Sequence, residues 1–312
     1  GTAVVALAED LVGVNEITAG GTFLSAEIAQ RFLFLRLFAE LPDYQEHPPT
    51  FAPRLATSYE WSADHLLLTV HLRPDVVWSD GEPVTAADVR FTWQAQTDKH
   101  VAWDSAYLKE AIRDVEIVDP HTVRFHFTHA YFSQLADVND GVILPKHAWE
   151  KLPFEKWRDG ADWFREHLVV DGPFMLASWT PRQEIVLARN PRYFEPGLPR
   201  LDRVVMRIIP DQGAMLEQLL AGQLDYVQQV TVAQAERVRS SDRARLLEVQ
   251  NRQYTFISWN MRRPQFADAE VRRALTLGID RQRLIDSLWR GHARLSSSPI
   301  LNGIWAHDDS LA

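Results

Sequence analysis

Residues 51–93, FAPRLATSYEWSADHLLLTVHLRPDVVWSDGEPVTAADVRFTW, limit the folds open to this chain more than any other stretch. Leu66, Leu68, Val70 and Leu72 alternate with Leu67, Thr69, His71 and Arg73. That period of two predicts a strand with one buried face. Arg73-Pro74-Asp75 interrupts it and Val76-Val77-Trp78 resumes it. Ser79-Asp80-Gly81-Glu82-Pro83 reads as a tight turn, with Gly81 free to take a positive φ and Pro83 stiffening the exit. Thr85 is placed to cap a helix, with Asp88 three residues later as the reciprocal carboxylate. Val89 and Trp93 then lie one helical turn apart.

The bulk properties exclude several functions. A chain of 312 residues, 46% hydrophobic and 24% charged, is long enough for two domains and a substantial core. A net charge of −9 leaves no basic field for nucleic acid. With no cysteine there is no disulfide, thiolate metal site or cysteine nucleophile. The apolar run 32–38 is short and broken by Arg36, so nothing in it spans a membrane. Neither a Gly-x-Ser-x-Gly motif nor a phosphate-binding Gly-rich loop occurs. His126 and His129 lie near a strand end without a carboxylate–histidine cluster, which is poor zinc chemistry. Asp80 and Asp171 each precede glycine, which is turn chemistry before it is catalysis. The expectation is a protein with no enzymatic activity, no metal and no cofactor.

Along the chain, residues 3–8 read as a buried strand and residues 13–21 as a loop. Ser25 is expected to cap a helix carrying Ile28, Phe32, Leu35 and Ala39. Residues 42–53 carry prolines and suit a first domain crossing. After residue 93 a helical segment is expected, with Trp103 and Tyr107 at i, i+4. Residues 115–118 and 122–127 predict a hairpin around Asp119-Pro120-His121. Helical stretches follow at 131–138 and after Pro145, then strands at 174–179, 184–189 and 201–209. Asp211 caps a helix closing at Gly222, residues 224–227 form a short strand, and Thr231 with Gln234 forms a capping box. Tyr254, Phe256 and Ser258 alternate with Thr255, Ile257 and Trp259 as one more strand, ended by Asn260. Strands alternating with helices argue an α/β lobe.

The order of residues in LATSYEWSADHLLLTVHLRPDVVWSDGEPVTAADVRFTW resembles the signature of the family 5 extracellular solute-binding proteins, the peptide, nickel and sugar receptors of ABC importers. Further stretches fit the same family. They are Gly172-Pro173-Phe174, Leu187-Ala188-Arg189-Asn190 with Tyr193-Phe194, and Gly222-Gln223-Leu224-Asp225. Phe266-Ala267-Asp268, Val271-Arg272-Arg273-Ala274 and Ile279-Asp280-Arg281 also fit. The resemblance implies an α/β, periplasmic-binding-protein-like fold of type II, with two lobes and an extra insert subdomain. It implies lobe one from 1–50 and 168–252, the insert from 51–167, and the start of a truncated lobe two from 253–312.

The resemblance also implies a role. The chain would be the extracytoplasmic receptor of an ABC importer, capturing peptides in an interlobe cleft by hinge closure. The alternatives are a metal-chelate or oligosaccharide receptor on the same fold, or a sensor or interaction module. Its partners would be a small peptide or similar solute and the permease subunits in the membrane. It would be periplasmic or extracellular, with lipid anchoring before processing left open. Candidate ligand-binding residues are Gly20, Gly21, Thr22 and Phe23 on the loop after the first strand, and Trp103 and Tyr107 in the insert. Gln228 and Gln229 offer amides that both donate and accept, and Tyr254, Phe256 and Ser258 share a face at a lobe crossing. Each set also fits a plain alternative: flexible loop, core aromatic pair, solvated surface or hinge packing. Nickel-binding members hold a carboxylated chelate with an insert arginine, and Asp140-Gly141 stands there instead. The acidic residue that anchors a peptide amino terminus in relatives would fall beyond Ala312. Weak or absent ligand binding, and apolar surface around Phe256 and Trp259 that is either exposed or covered by self-association, are the corresponding expectations.

Overall fold

The computed structural model describes residues 1–18, 22–249, 253–308 and 310. These fall into two units, one from residues 1–40 and 51–228, the other from 41–50 and 229 onward. The first unit opens with β1 (Thr2–Leu7), a loop, α1 (Phe23–Ile28) and a π-helical turn over Ala29–Leu33. Ser25 does not cap α1. Thr22 holds the N-cap position, and the buried Ser25 hydroxyl accepts from the Val12 amide at 3.2 Å, so it fastens the loop instead. β2 (Phe38–Glu40) pairs antiparallel with β3 (Phe51–Pro53).

The strand, turn and helix expected from residues 51–93 all form. β4 (Ala56–Trp61) and β5 (Leu67–Leu72) are antiparallel, and Leu68, Val70 and Leu72 are buried on one face of β5. Gly81 takes φ +103° in the turn. α2 (Ala86–Thr97) starts on a reciprocal cap: the Thr85 side chain accepts from the Ala87 amide at 3.3 Å, and Asp88 accepts from the Thr85 amide at 2.8 Å. Asp88 is buried and also accepts from the Lys146 amide at 2.9 Å, so one carboxylate closes the helix start and pins a distant segment. Burial raises its pKa despite those two amide bonds.

The helical segment expected to carry Trp103 and Tyr107 shrinks to one 3₁₀ turn, Ala106–Lys109, because the chain enters β6 (Ile112–Asp119) directly afterwards. β7 (Thr122–Phe127) completes a four-stranded sheet of order β4-β5-β7-β6. Three short helices follow: α3 (Gln134–Asn139), α4 (Lys146–Trp149) and α5 (Ala161–Glu166). Trp149, Trp157 and Phe164 are fully buried, and their rings meet at 4.7–6.0 Å between centroids.

β8 (Phe174–Thr180), β9 (Glu184–Arg189), β10 (Arg203–Ile208), α6 (Gln212–Leu220) and β11 (Tyr226–Val227) complete the first unit. The second sheet has the order β11-β1-β10-β9-β8, and β1 runs parallel to both neighbours. Both partners of β1 come from late segments, β10 at 203–208 and β11 at 226–227. Asp211 caps α6 by accepting from the Ala214 amide at 2.7 Å, and Gly222 leaves the helix at φ +74°. One apolar core runs through both sheets, taking Leu68 and Val70 from the first and Ile185 and Leu187 from the second. Gly172 sits where backbones touch: a Cβ there would lie 2.6 Å from Leu33 C and 2.7 Å from the Phe32 and Leu33 carbonyl oxygens.

The second unit carries α7 (Val232–Arg239), α8 (Ala269–Leu277) and α9 (Arg281–Leu284). The Thr231–Gln234 capping box forms at the start of α7. The strand expected over residues 254–259 does not form. Residues 253–260 have no ladder partner, and period-two alternation alone cannot hold a strand extended. Phe256 is 67% exposed, while Trp259 is half-buried and donates to the Thr276 hydroxyl at 3.2 Å.

Candidate functional site

Ligand sites of open α/β sheets gather beyond the carboxyl ends of parallel strands. At that edge the first unit presents the loop after β1 and the residues after β11. Thr22 is the N-cap of α1 and Phe23 its first residue; Gly20 and Gly21 lie outside the described residues. Gln228 follows β11 directly, is exposed, and its amide donates to Glu27 of α1 at 3.4 Å. The helix that begins at Phe23 and the first of the two glutamines are therefore adjacent. Gln229 is exposed at the start of the second unit.

Trp103 and Tyr107 do not share a helix face. Trp103 packs on the core with its ring 5.6 Å from the Lys109 ammonium, whereas Tyr107 is 65% exposed. Tyr107 instead walls an open pocket of about 360 Å³ with Leu108, Glu110, Ala111, His129, Tyr131 and Asp137. That volume suits a small solute or one side chain of a larger one. Burial, and then the Asp137 carboxylate, hold the Tyr131 phenol well above its usual pKa, so it stays a neutral donor. Tyr254, Phe256 and Ser258 are exposed in the second unit; the two rings stand 5.3 Å apart without the strand that was expected to align them.

Between Glu16 and the segment 109–142 lies a joint that sequence reasoning missed. Glu16 is 7% exposed and accepts from the Val142 amide at 2.6 Å and from the Gln30 amide at 2.7 Å. Burial raises its pKa. Lys109 is 2% exposed and donates to the carbonyls of Asp137, Val138 (3.4 Å) and Asp140 (2.8 Å). Burial lowers its pKa to about 8, against the pull of Asp140 and Asp137. Arg36 stands 3.9 Å from Asp140. The cavity beside Lys109, Gln96 and Asp140 measures about 10 Å³, too small for a solute, so the joint is structural. Lone buried charges follow no period, which is why neither Glu16 nor Lys109 stood out in the sequence.

Asp171 proves to be more than a turn residue. It is fully buried, its Oδ1 accepts from the Leu35 amide at 2.9 Å, and burial drives its pKa well above its usual value. His126 bonds Glu116 at 2.8 Å beside Arg124, a surface ion cluster. Among the described residues no group of three or more His, Asp or Glu is arranged to hold a metal, and no helix is long and apolar enough to cross a membrane.

Residues 50–312 match the family model described as bacterial extracellular solute-binding proteins, family 5 Middle. The chain is 27% identical over 262 residues to the probable D,D-dipeptide-binding periplasmic protein of Escherichia coli, covering 81% of this chain and 48% of that one. It is 27% identical over 248 residues to the oligopeptide-binding protein AppA of Bacillus subtilis, covering 78% and 45%. The solved structure of AppA with a nonapeptide superposes at TM-score 0.88, with 25% identity, over 99% of this chain and 60% of AppA. NikZ of Campylobacter jejuni, solved with Ni(L-His), shares the fold at TM-score 0.81 and 22% identity, over 96% of this chain and 57% of NikZ. The chain thus spans about half the length of the curated relatives it matches.

Proposed function

The chain belongs to the bacterial extracellular solute-binding proteins of family 5, and from that premise we propose that it is the receptor of an ABC importer for peptides. The observation carrying this reading is the likeness, over nearly the whole chain, to a structure that holds a nonapeptide. The periplasmic relative with a dipeptide in its name supports it. The chemistry of the candidate residues agrees. Gln228 and Gln229 can pair with peptide N–H and C=O groups whatever the peptide sequence. Tyr107 and its pocket offer space for one side chain. Capture needs no covalent step: ligand favours a closed arrangement, and the permease subunits read closure. The protein works outside the cytoplasm, and peptides leave it unaltered.

The division into lobe one (1–50 and 168–252), insert (51–167) and the start of lobe two (253–312) is part of this proposal. It is supported by the two larger of the three sheets of the first unit, although the small β2–β3 sheet crosses from 38–40 to 51–53. One takes all its strands from 56–127, the other from 2–7 and 174–227.

Ligand released by denaturing protein purified under native conditions, read by mass spectrometry, tests the function. Short intact peptides are expected. A chelated metal or a saccharide in their place would overturn the peptide assignment, and peptide fragments generated on incubation would overturn the non-enzymatic role.

A further inference from the structure

Residues 137–142, the last turn of α3 and the segment after it, form a strap between two pieces of the candidate ligand surface. On its carbonyl side, the Lys109 ammonium takes the backbone oxygens of Asp137, Val138 and Asp140. On its amide side, the Glu16 carboxylate takes the Val142 N–H at 2.6 Å. Side-chain amides complete the hold: Gln96 donates to the Asp140 carbonyl at 3.2 Å, and Asn139 accepts from the Phe38 amide at 2.8 Å. Glu16 lies on the loop that leads to Thr22 and Phe23, and Gln30 ties it to the π-helical turn behind α1. Lys109 ends the turn that carries Tyr107, and its ammonium sits over the Trp103 ring at 5.6 Å.

We propose that Glu16 and Lys109 are positioning residues that both grip the 137–142 strap and so join the Glu16 segment to the turn carrying Tyr107 as one rigid piece. A buried ammonium gripping three carbonyls cannot slide without stranding them, and the same holds for a buried carboxylate and its amide. Ligand contacts from these two pieces then move together. This rests on the reading that both pieces face the ligand, but the joint itself can be tested without any ligand.

The charged groups facing Lys109 are Asp137 from α3, Asp140 from the strap, Arg36 from the segment before β2, and Glu16 from the β1 loop. The protein is labelled with 5-fluorotryptophan, and the fluorine resonance lost in Trp103→Phe is assigned to Trp103. Between about pH 6.5 and 9.5 this resonance should titrate, because the cation above the ring loses its charge near pH 8. Lys109→Met should shift the resonance and abolish the titration. Lys109→Arg should keep its position near that of wild type while abolishing the titration. Glu16→Gln does not touch Trp103, yet should lower the midpoint by removing a neighbouring negative charge. A Trp103 resonance left unmoved by Lys109→Met would overturn the proposal, as would a Glu16→Gln curve superposing on wild type. Should Lys109→Met fail to fold, the wild-type and Glu16→Gln curves decide the matter. Absence of peptide binding with these curves intact would refute the proposed function and leave the joint standing.

Discussion

Gly172→Ala is the substitution whose cost follows most directly from the coordinates. The new methyl would sit 2.6 Å from Leu33 C and 2.7 Å from the Leu33 and Phe32 oxygens. All three obstacles are backbone, held in the π-helical turn, so no side chain can swing aside. Overpacking by a methyl costs about 1–3 kcal/mol when neighbours can adjust, and rigid neighbours place this site at the upper end, about 3 kcal/mol. Moving the strand start away instead would break three bonds. Gly172 N–H donates to Leu33 O at 2.8 Å, Asn190 donates to Gly172 O at 2.9 Å, and Leu35 N–H donates to Asp171 at 2.9 Å. At about 1 kcal/mol each, the relaxed route costs as much as the clash. Urea unfolding followed by tryptophan emission reads this unit, since Trp78, Trp149 and Trp157 are all fully buried in it. A Gly172→Ala protein within about 0.5 kcal/mol of wild type would refute the close-approach argument.

Other perturbations have defined outcomes. Gly81→Ala meets no clash, its nearest neighbour being the Arg192 guanidinium at 3.5 Å, so only the φ of +103° penalises it. A loss of about 1 kcal/mol in the same urea assay is expected. Thr85→Ala removes half of the α2 capping box and should also cost about 1 kcal/mol, readable as a lower melting temperature. Asp171 has its carboxyl pKa raised in the fold, so the native state keeps a proton that the unfolded chain releases. Its contribution is complete below the unfolded value and is lost as pH rises through the folded one. Glu16 and Asp88 act in the same direction. Asp171→Asn removes one share of this, so the stability of wild type relative to the variant should increase from pH 7 to about pH 4 in thermal melts. A difference constant across that range would contradict a protonated Asp171.

What the sequence revealed was local. The β5 alternation, the Gly81 turn and the caps at Thr85, Asp211 and Thr231 each depend on residues within a few positions of one another, and all appear in the fold. Where neighbours are remote, sequence pattern failed. Ser25 looked like a cap until Val12 claimed its hydroxyl. Trp103 and Tyr107 have helical spacing, but the approach of β6 leaves room for a single 3₁₀ turn. The alternation at 254–259 matched a strand in every residue and lacked only a partner to pair with. Of the candidate residues, Thr22 and Gln228 were proposed through resemblance, and Gln228 bonds Glu27 on the helix that Thr22 caps. The Glu16–Lys109 joint was invisible because its ends are 93 residues apart (109 − 16) and meet only through the strap.

Saturation-transfer NMR with the purified protein tests the central claim most directly, because it registers weak as well as tight ligands. Pools of short peptides, Ni(L-His) and oligosaccharides would be offered separately, each also to a Tyr107→Ala, Gln228→Ala variant. Transfer to peptides alone, diminished in the variant, is the predicted result. Transfer to the nickel chelate or the oligosaccharides, with peptides silent, would contradict the assignment of a peptide receptor.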